Sequence, residues 1–138
     1  MPLIQNKMTG PLYSIFNSKC PKCNLGELYI DRNPYHLSKL GQMKKQCDCC
    51  GQLYEPETGF YYGAMYVSYA VSIIAMFIPA AILYFGFDAG FKILLAVIFG
   101  IYIAFFPLIF RISRNIWLNI FVKYNPALHK KLVSEKVG

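Results

Sequence analysis

The sequence predicts a membrane protein in which a small β domain precedes a two-helix transmembrane hairpin, with an interfacial amphipathic helix after it. Three observations predict this. Two uncharged apolar runs are long enough to cross bilayer hydrocarbon. Four of the five cysteines fall in two C-x-x-C pairs ahead of those runs. Basic residues crowd both flanks of the apolar block and are nearly missing within it.

Over 138 residues, hydrophobic side chains make up 56% and charged ones only 15%, against about 25% charged in an ordinary soluble domain. Residues 1–58 carry seven Lys/Arg and five Asp/Glu, and residues 111–138 carry six Lys/Arg and one Glu, whereas residues 59–110 hold only Asp88 and Lys92. The net charge of +7 therefore flanks the apolar block, as membrane orientation requires. The expected segments are residues 1–18 (N-terminal), 19–58 (metal domain), 59–110 (hairpin) and 111–138 (interfacial helix and cytoplasmic tail). Met1–Ser18 shows no continuous apolar run of the signal-peptide kind.

Cys20-Pro-Lys-Cys23 and Cys47-Asp-Cys-Cys50-Gly51 are separated by 23 residues. In each C-x-x-C turn both thiolates can face one side, and two such knuckles complete the four-sulfur shell of structural zinc. Iron uses the same four sulfurs. Gly51 falls where a knuckle needs positive φ. Cys49 is spare, expected as a plain thiol, the alternative being exchange with Cys47 or Cys50 as a ligand. Between the pairs, Leu28, Tyr29, Ile30, Leu37 and Leu40 are the main core candidates, too few to hold a domain without metal. Leu28–Arg32 and Leu53–Glu55 are expected as short ribbon strands, with a turn at Asn33-Pro34. A thioredoxin-like redox pattern around either pair is missing.

Phe60–Phe87 contains 28 residues without a charge; as a helix it would span about 42 Å, more than the hydrocarbon thickness. Its early tyrosines suit the aromatic belt at the water interface. Gly86, Asp88 and Gly90 make the turn, and Ile93–Phe110 supplies 18 further uncharged residues. The hairpin helices are expected over about residues 60–87 and 91–110. Small residues recur at i+4 on both: Ala64, Ser68 and Ser72, then Ala96, Gly100 and Ala104. Such ridges let backbones approach closely in lipid, so the two are expected to face each other, the alternative being that one ridge faces another protein. Pro79 and Pro107 should bend the helices. Beyond them Arg111, Asn115, Asn119 and Lys123 form one polar stripe, with Trp117 among the apolar residues. That pattern suits a helix lying at the inner surface, or a continuation of the second span with its stripe against the metal domain.

Catalytic groups are not evident. His36 and His129 are expected at the surface, no ionisable pair occupies the mid-membrane level, and a four-cysteine shell leaves no open coordination position. No small-molecule substrate is indicated. A nucleic-acid role is disfavoured, because Glu27, Asp31, Asp48, Glu55 and Glu57 nearly offset the lysines of the metal domain.

The motifs Cys20-Pro-Lys-Cys23…Gly26-Glu-Leu28, Cys47-x-x-Cys50-Gly51 and Glu55-Pro-Glu-Thr-Gly-Phe-Tyr-Tyr-Gly-Ala-Met-Tyr-Val-Ser-Tyr69 together resemble the bacterial family known as "domain of unknown function 983". The last stretch is particularly similar to members from the Bacteroidetes. The resemblance covers about residues 10–125 and departs at Asn24, where Gly is frequent, and at the additional Cys49. It implies a zinc-ribbon-like inner-membrane protein without an established activity. Members encoded near cytochrome oxidase genes imply a role in respiratory-complex biogenesis. The expectation is therefore a non-enzymatic protein of the bacterial inner membrane with both termini cytoplasmic. Its zinc ribbon would dock a protein partner through exposed residues around Tyr29–Lys45. The alternatives are a membrane-tethered nucleic-acid binder and an iron-binding accessory subunit of an oxidoreductase.

Overall fold

The computed structural model describes residues 10–88 and 90–138. The first nine residues of the expected N-terminal segment lie outside the described residues. Four helices follow in order: α1 (Pro11–Asn17), α2 (Tyr62–Phe87), α3 (Phe91–Phe121) and α4 (Pro126–Val137). Between α1 and α2 the chain folds around the cysteines, with a single 3-10 turn at Leu37–Lys39.

The long helices form the expected hairpin. The α2 helix ends at Asp88, which adopts a left-handed conformation (φ 46), and Gly90 caps the start of α3. Only 6% and 11% of their apolar windows are buried by protein. Helices this apolar and this uncovered have the character of membrane spans rather than of a soluble core. The chain is thus built as a membrane protein.

The packing between α2 and α3 is asymmetric. On α2, Ala64 is buried and Ser68, Ser72 and Ala75 are partly covered, as the ridge predicts. The α3 ridge does not face it. Ala96, Gly100 and Ala104 are exposed, and a methyl group built on Gly100 would touch nothing within 4 Å. Ile98, Ile101, Tyr102 and Ile109 instead line the seam with Val71, Ala75 and Pro79, around an apolar pocket of about 320 Å³. The physical reason is that one ridge of small residues already admits a neighbour. Large side chains from α3 fill that groove, and a second ridge is not needed.

Two further expectations are corrected. Residues 111–121 are not a separate interfacial helix: α3 runs unbroken from Phe91 to Phe121, since no glycine or proline interrupts it after Pro107. Nor is there a β ribbon, for no strand forms among the described residues. Three isolated antiparallel bridges stand in its place, Lys19 with Glu27, Tyr29 with Met43 and Gln46 with Leu53. Knuckle turns take backbone bonds that a ladder would use, and Pro34 has no amide proton with which to extend the run that begins at Leu28. Of the core candidates, Leu28 and Tyr29 are buried, while Ile30 and Leu37 are exposed.

The lower half of α3 joins the two parts of the molecule. Arg111, Ser113, Asn115 and Leu118 are buried there. The Arg111 guanidinium lies over the Tyr29 ring at 4.4 Å and donates to the carbonyls of Arg32 (3.2 Å) and Asn33 (3.1 Å). Arg114 donates to the Gly41 carbonyl. Asn115 donates to the Ile15 carbonyl at 2.9 Å and Asn119 to the Ser14 hydroxyl, fastening α1. The predicted polar stripe therefore docks on the metal domain, except for Lys123, which is exposed. Trp117 donates to the Phe60 carbonyl at 2.8 Å and packs on Gly63, where a methyl group would lie 2.0 Å from its ring.

Candidate metal centre

The two knuckles are near copies of each other in backbone terms. In the first, the Asn24 amide donates to the Cys20 carbonyl (2.8 Å) and the Cys20 amide to the Gly26 carbonyl (2.8 Å). In the second, the Gly51 amide donates to the Cys47 carbonyl (2.9 Å) and the Cys47 amide to the Gln52 carbonyl (2.9 Å). Both turns close through a left-handed residue, Asn24 at φ 55 and Gly51 at φ 69. Gly51 does this without steric cost, and Asn is among the few side chains that tolerate it. The departure at Asn24 is thereby accommodated, with its amide donating to the Gly10 carbonyl.

These turns bring Cys20, Cys23, Cys47 and Cys50 together, all four ligand atoms lying within 4.8 Å of one another. The Cys20–Cys50 and Cys23–Cys47 sulfurs are 3.7 and 3.6 Å apart. Tetrahedral sulfurs at the usual metal–sulfur distance stand about 3.8 Å apart, so the cluster has the size of a divalent metal shell. Three of the four cysteines are buried. Hydrogen bonding to Cys23 and Cys47, followed by burial, pushes the Cys20 thiol up. Hydrogen bonds from Cys20 and Cys23 pull the Cys47 thiol down. Burial holds Cys50 at about 11. Four sulfurs this close, three of them on buried residues, cannot all ionise beside one another unless a cation neutralises them. The donor set therefore fits a metal ion, and sulfur-rich tetrahedral geometry suits zinc.

The surroundings are closely built. A methyl group on Gly26 would lie 2.3 Å from the Cys47 sulfur, so this position has room for hydrogen only. Tyr54 is fully buried beside the cluster and its hydroxyl meets the Glu27 carbonyl at 3.4 Å. The Cys49 amide approaches the Cys47 sulfur at 3.4 Å. Cys49 itself stays outside the cluster, with Lys136 at 3.5 Å from its sulfur.

Helix α4 lies across the first knuckle. The Asn125 amide donates to the Lys22 carbonyl, and His129 Nδ1 stands 2.6 Å from the Cys23 carbonyl oxygen. Since a carbonyl only accepts, this nitrogen carries the proton. His129 is thus half-buried and braces the knuckle, contrary to the surface role expected for it. His36 is exposed and paired with Asp31. Tyr29 also differs from expectation: it is 3% exposed, with burial pushing its phenol above the ordinary range. Its hydroxyl donates to the Arg111 carbonyl, so it serves the seam rather than the outer surface. The roles of Gly26, Tyr54 and His129 depend on contacts distant in sequence. Only the position of Gly26 shortly after a knuckle hinted at one of them.

Fold and site together define a membrane protein whose extramembrane part carries a four-cysteine cluster able to hold a metal ion. The family model described as "Protein of unknown function (DUF983)" matches residues 38–121, more than half of the chain, and the chain belongs to this family. The match takes in the second knuckle, both long helices and the docking stripe, while Cys20 and Cys23 lie ahead of it. No curated protein and no solved structure matches the chain.

Proposed function

We propose that this chain is a non-enzymatic protein of the bacterial inner membrane. Its zinc domain would dock a protein partner at the cytoplasmic face during assembly or maintenance of a membrane complex, such as a respiratory one. The observation that carries this reading is the closed four-sulfur cluster held rigidly on α3 by Arg111, Arg114 and Asn115. A closed shell offers no position for substrate and serves to hold a surface in shape. The docking surface is the outward side of the segment between Tyr35 and Lys45, where Tyr35 and Leu37 are exposed. Contact between α4 and the first knuckle supports both ends of the described chain lying on one side, and the flanking Lys/Arg support that side being cytoplasmic. Pairing of Lys19 with Glu27 and Lys44 with Asp48 weakens the positive field that a nucleic-acid reading needs.

A pull-down from membranes in mild detergent tests the proposal. A partner should be recovered with zinc-loaded protein and lost after chelation or in a Tyr35→Ala/Leu37→Ala variant. Recovery of no partner with or without zinc refutes it.

A further inference from the structure

At the level where the uncharged run of α3 ends, a pocket of about 250 Å³ opens between α1, the metal domain and α3. Its lining is divided. Phe16, Leu108 and Ile112 give an apolar side, while Ser18, Arg32 and Arg111 give a polar one. Arg111 is 97% buried, being 3% exposed, and its Nε is without a hydrogen-bond partner. A buried cationic donor left unsatisfied is costly, and an anionic acceptor beside it removes that cost. Arg32 adds a second guanidinium whose side chain is 84% exposed. The one carboxylate in the lining, Glu27, lies 3.3 Å from Lys19 and 3.8 Å from Arg32, and a single carboxylate among Lys19, Arg32 and Arg111 leaves an excess of positive charge. Phe16 is 73% exposed beside Leu108, placing open apolar surface next to the cationic groups.

We infer that this pocket binds the phosphate of an anionic phospholipid, with the acyl chains running along Phe16 and Leu108. A phosphate oxygen accepts from Arg111 and Arg32, and the depth matches the headgroup level of the leaflet into which α3 emerges. The site fixes the height of the metal domain against the membrane. It depends on the membrane placement of α2 and α3 and is independent of any protein partner.

The test is native mass spectrometry of the full, zinc-loaded chain released from nanodiscs containing equal phosphatidylglycerol and phosphatidylcholine. Wild type should retain phosphatidylglycerol in excess. Arg32→Ala, which leaves the Arg111 clamp on the backbone intact, should lower that retention by about tenfold, as loss of one charged hydrogen-bond partner does. Arg111→Lys should lower it too, with zinc content unchanged in Arg32→Ala as the control for folding. Lys130→Ala/Lys131→Ala, away from the pocket, should retain lipid as wild type does. Equal retention of the two lipids overturns the inference. So does an unchanged excess in Arg32→Ala and Arg111→Lys, which would make Arg111 a structural clamp alone. Displacement of phosphatidylglycerol by millimolar inorganic phosphate would assign the pocket to a free anion instead.

Discussion

At the scale of single residues, the four cysteines are expected to decide whether the extramembrane part folds. Binding of structural zinc contributes on the order of 10 kcal/mol, more than the few large apolar residues buried around the cluster could supply. Cys20→Ser is therefore expected to abolish zinc binding, read by elemental analysis, and to leave a colourless protein prone to aggregation. Visible colour with one equivalent of iron in the wild type would redirect the reading to electron transfer. The binding should also weaken as pH falls. Burial holds the Cys50 thiol at about 11, so at neutral pH its proton must leave when metal enters. Each displaced proton makes affinity fall by up to about tenfold per pH unit toward acid, and chelator competition between about pH 8 and pH 6 measures it. Gly26→Ala places a methyl group against the Cys47 sulfur, at 2.3 Å, and should destabilise the metal domain by roughly 1–3 kcal/mol, the usual range for overpacking. The cysteine cluster was legible because C-x-x-C spacing constrains the geometry locally. Tyr54 and His129 were not, because each meets the cluster across many residues of chain and neither follows a spacing rule.

At the scale of elements, the contrast between two glycines explains what periodicity can and cannot say. A ridge of small residues shows that a helix can be approached closely, and it leaves open what approaches. Gly63 on α2 receives the Trp117 ring, whereas Gly100 on α3 receives nothing. Gly63→Ala should displace Trp117 and shift the emission of this single tryptophan, with loss of the bond to the Phe60 carbonyl. Gly100→Ala should leave emission and thermal stability unchanged, and a change there would mean that the α3 ridge does meet α2. The spans themselves were legible, since an uncharged apolar run of this length needs a bilayer to cover it. The ribbon strands were expected from composition, but the knuckle turns and Pro34 left only single bridges. Continuity of α3 past Arg111 was not legible, because the polar stripe fitted two arrangements equally. The choice between them was made by the carbonyls of Arg32, Asn33 and Ile15, which the sequence does not display.

At the scale of the whole molecule, two parts with different sources of stability share one helix. Within lipid, α2 and α3 satisfy their own backbone hydrogen bonds and do so with or without metal. The domain around the cysteines is expected to depend on a bound ion, and it reaches the hairpin through Tyr29, Arg111, Arg114 and Asn115. Removal of zinc should therefore separate the two in stability. In nanodiscs, chelation should leave most far-ultraviolet helical signal in place, because α2 and α3 hold most of the helical residues. The same treatment should open the cysteine domain to trypsin at Lys22, Lys39 and Lys45, while Lys92 at the far turn keeps its wild-type susceptibility. Trp117, at the junction, should report the event by a change in emission. Loss of the helical signal together with the protease resistance would show instead that the α3 clamp makes domain and hairpin one cooperative unit. In that case Arg111 and Asn115 would carry structural information into the bilayer as well as out of it.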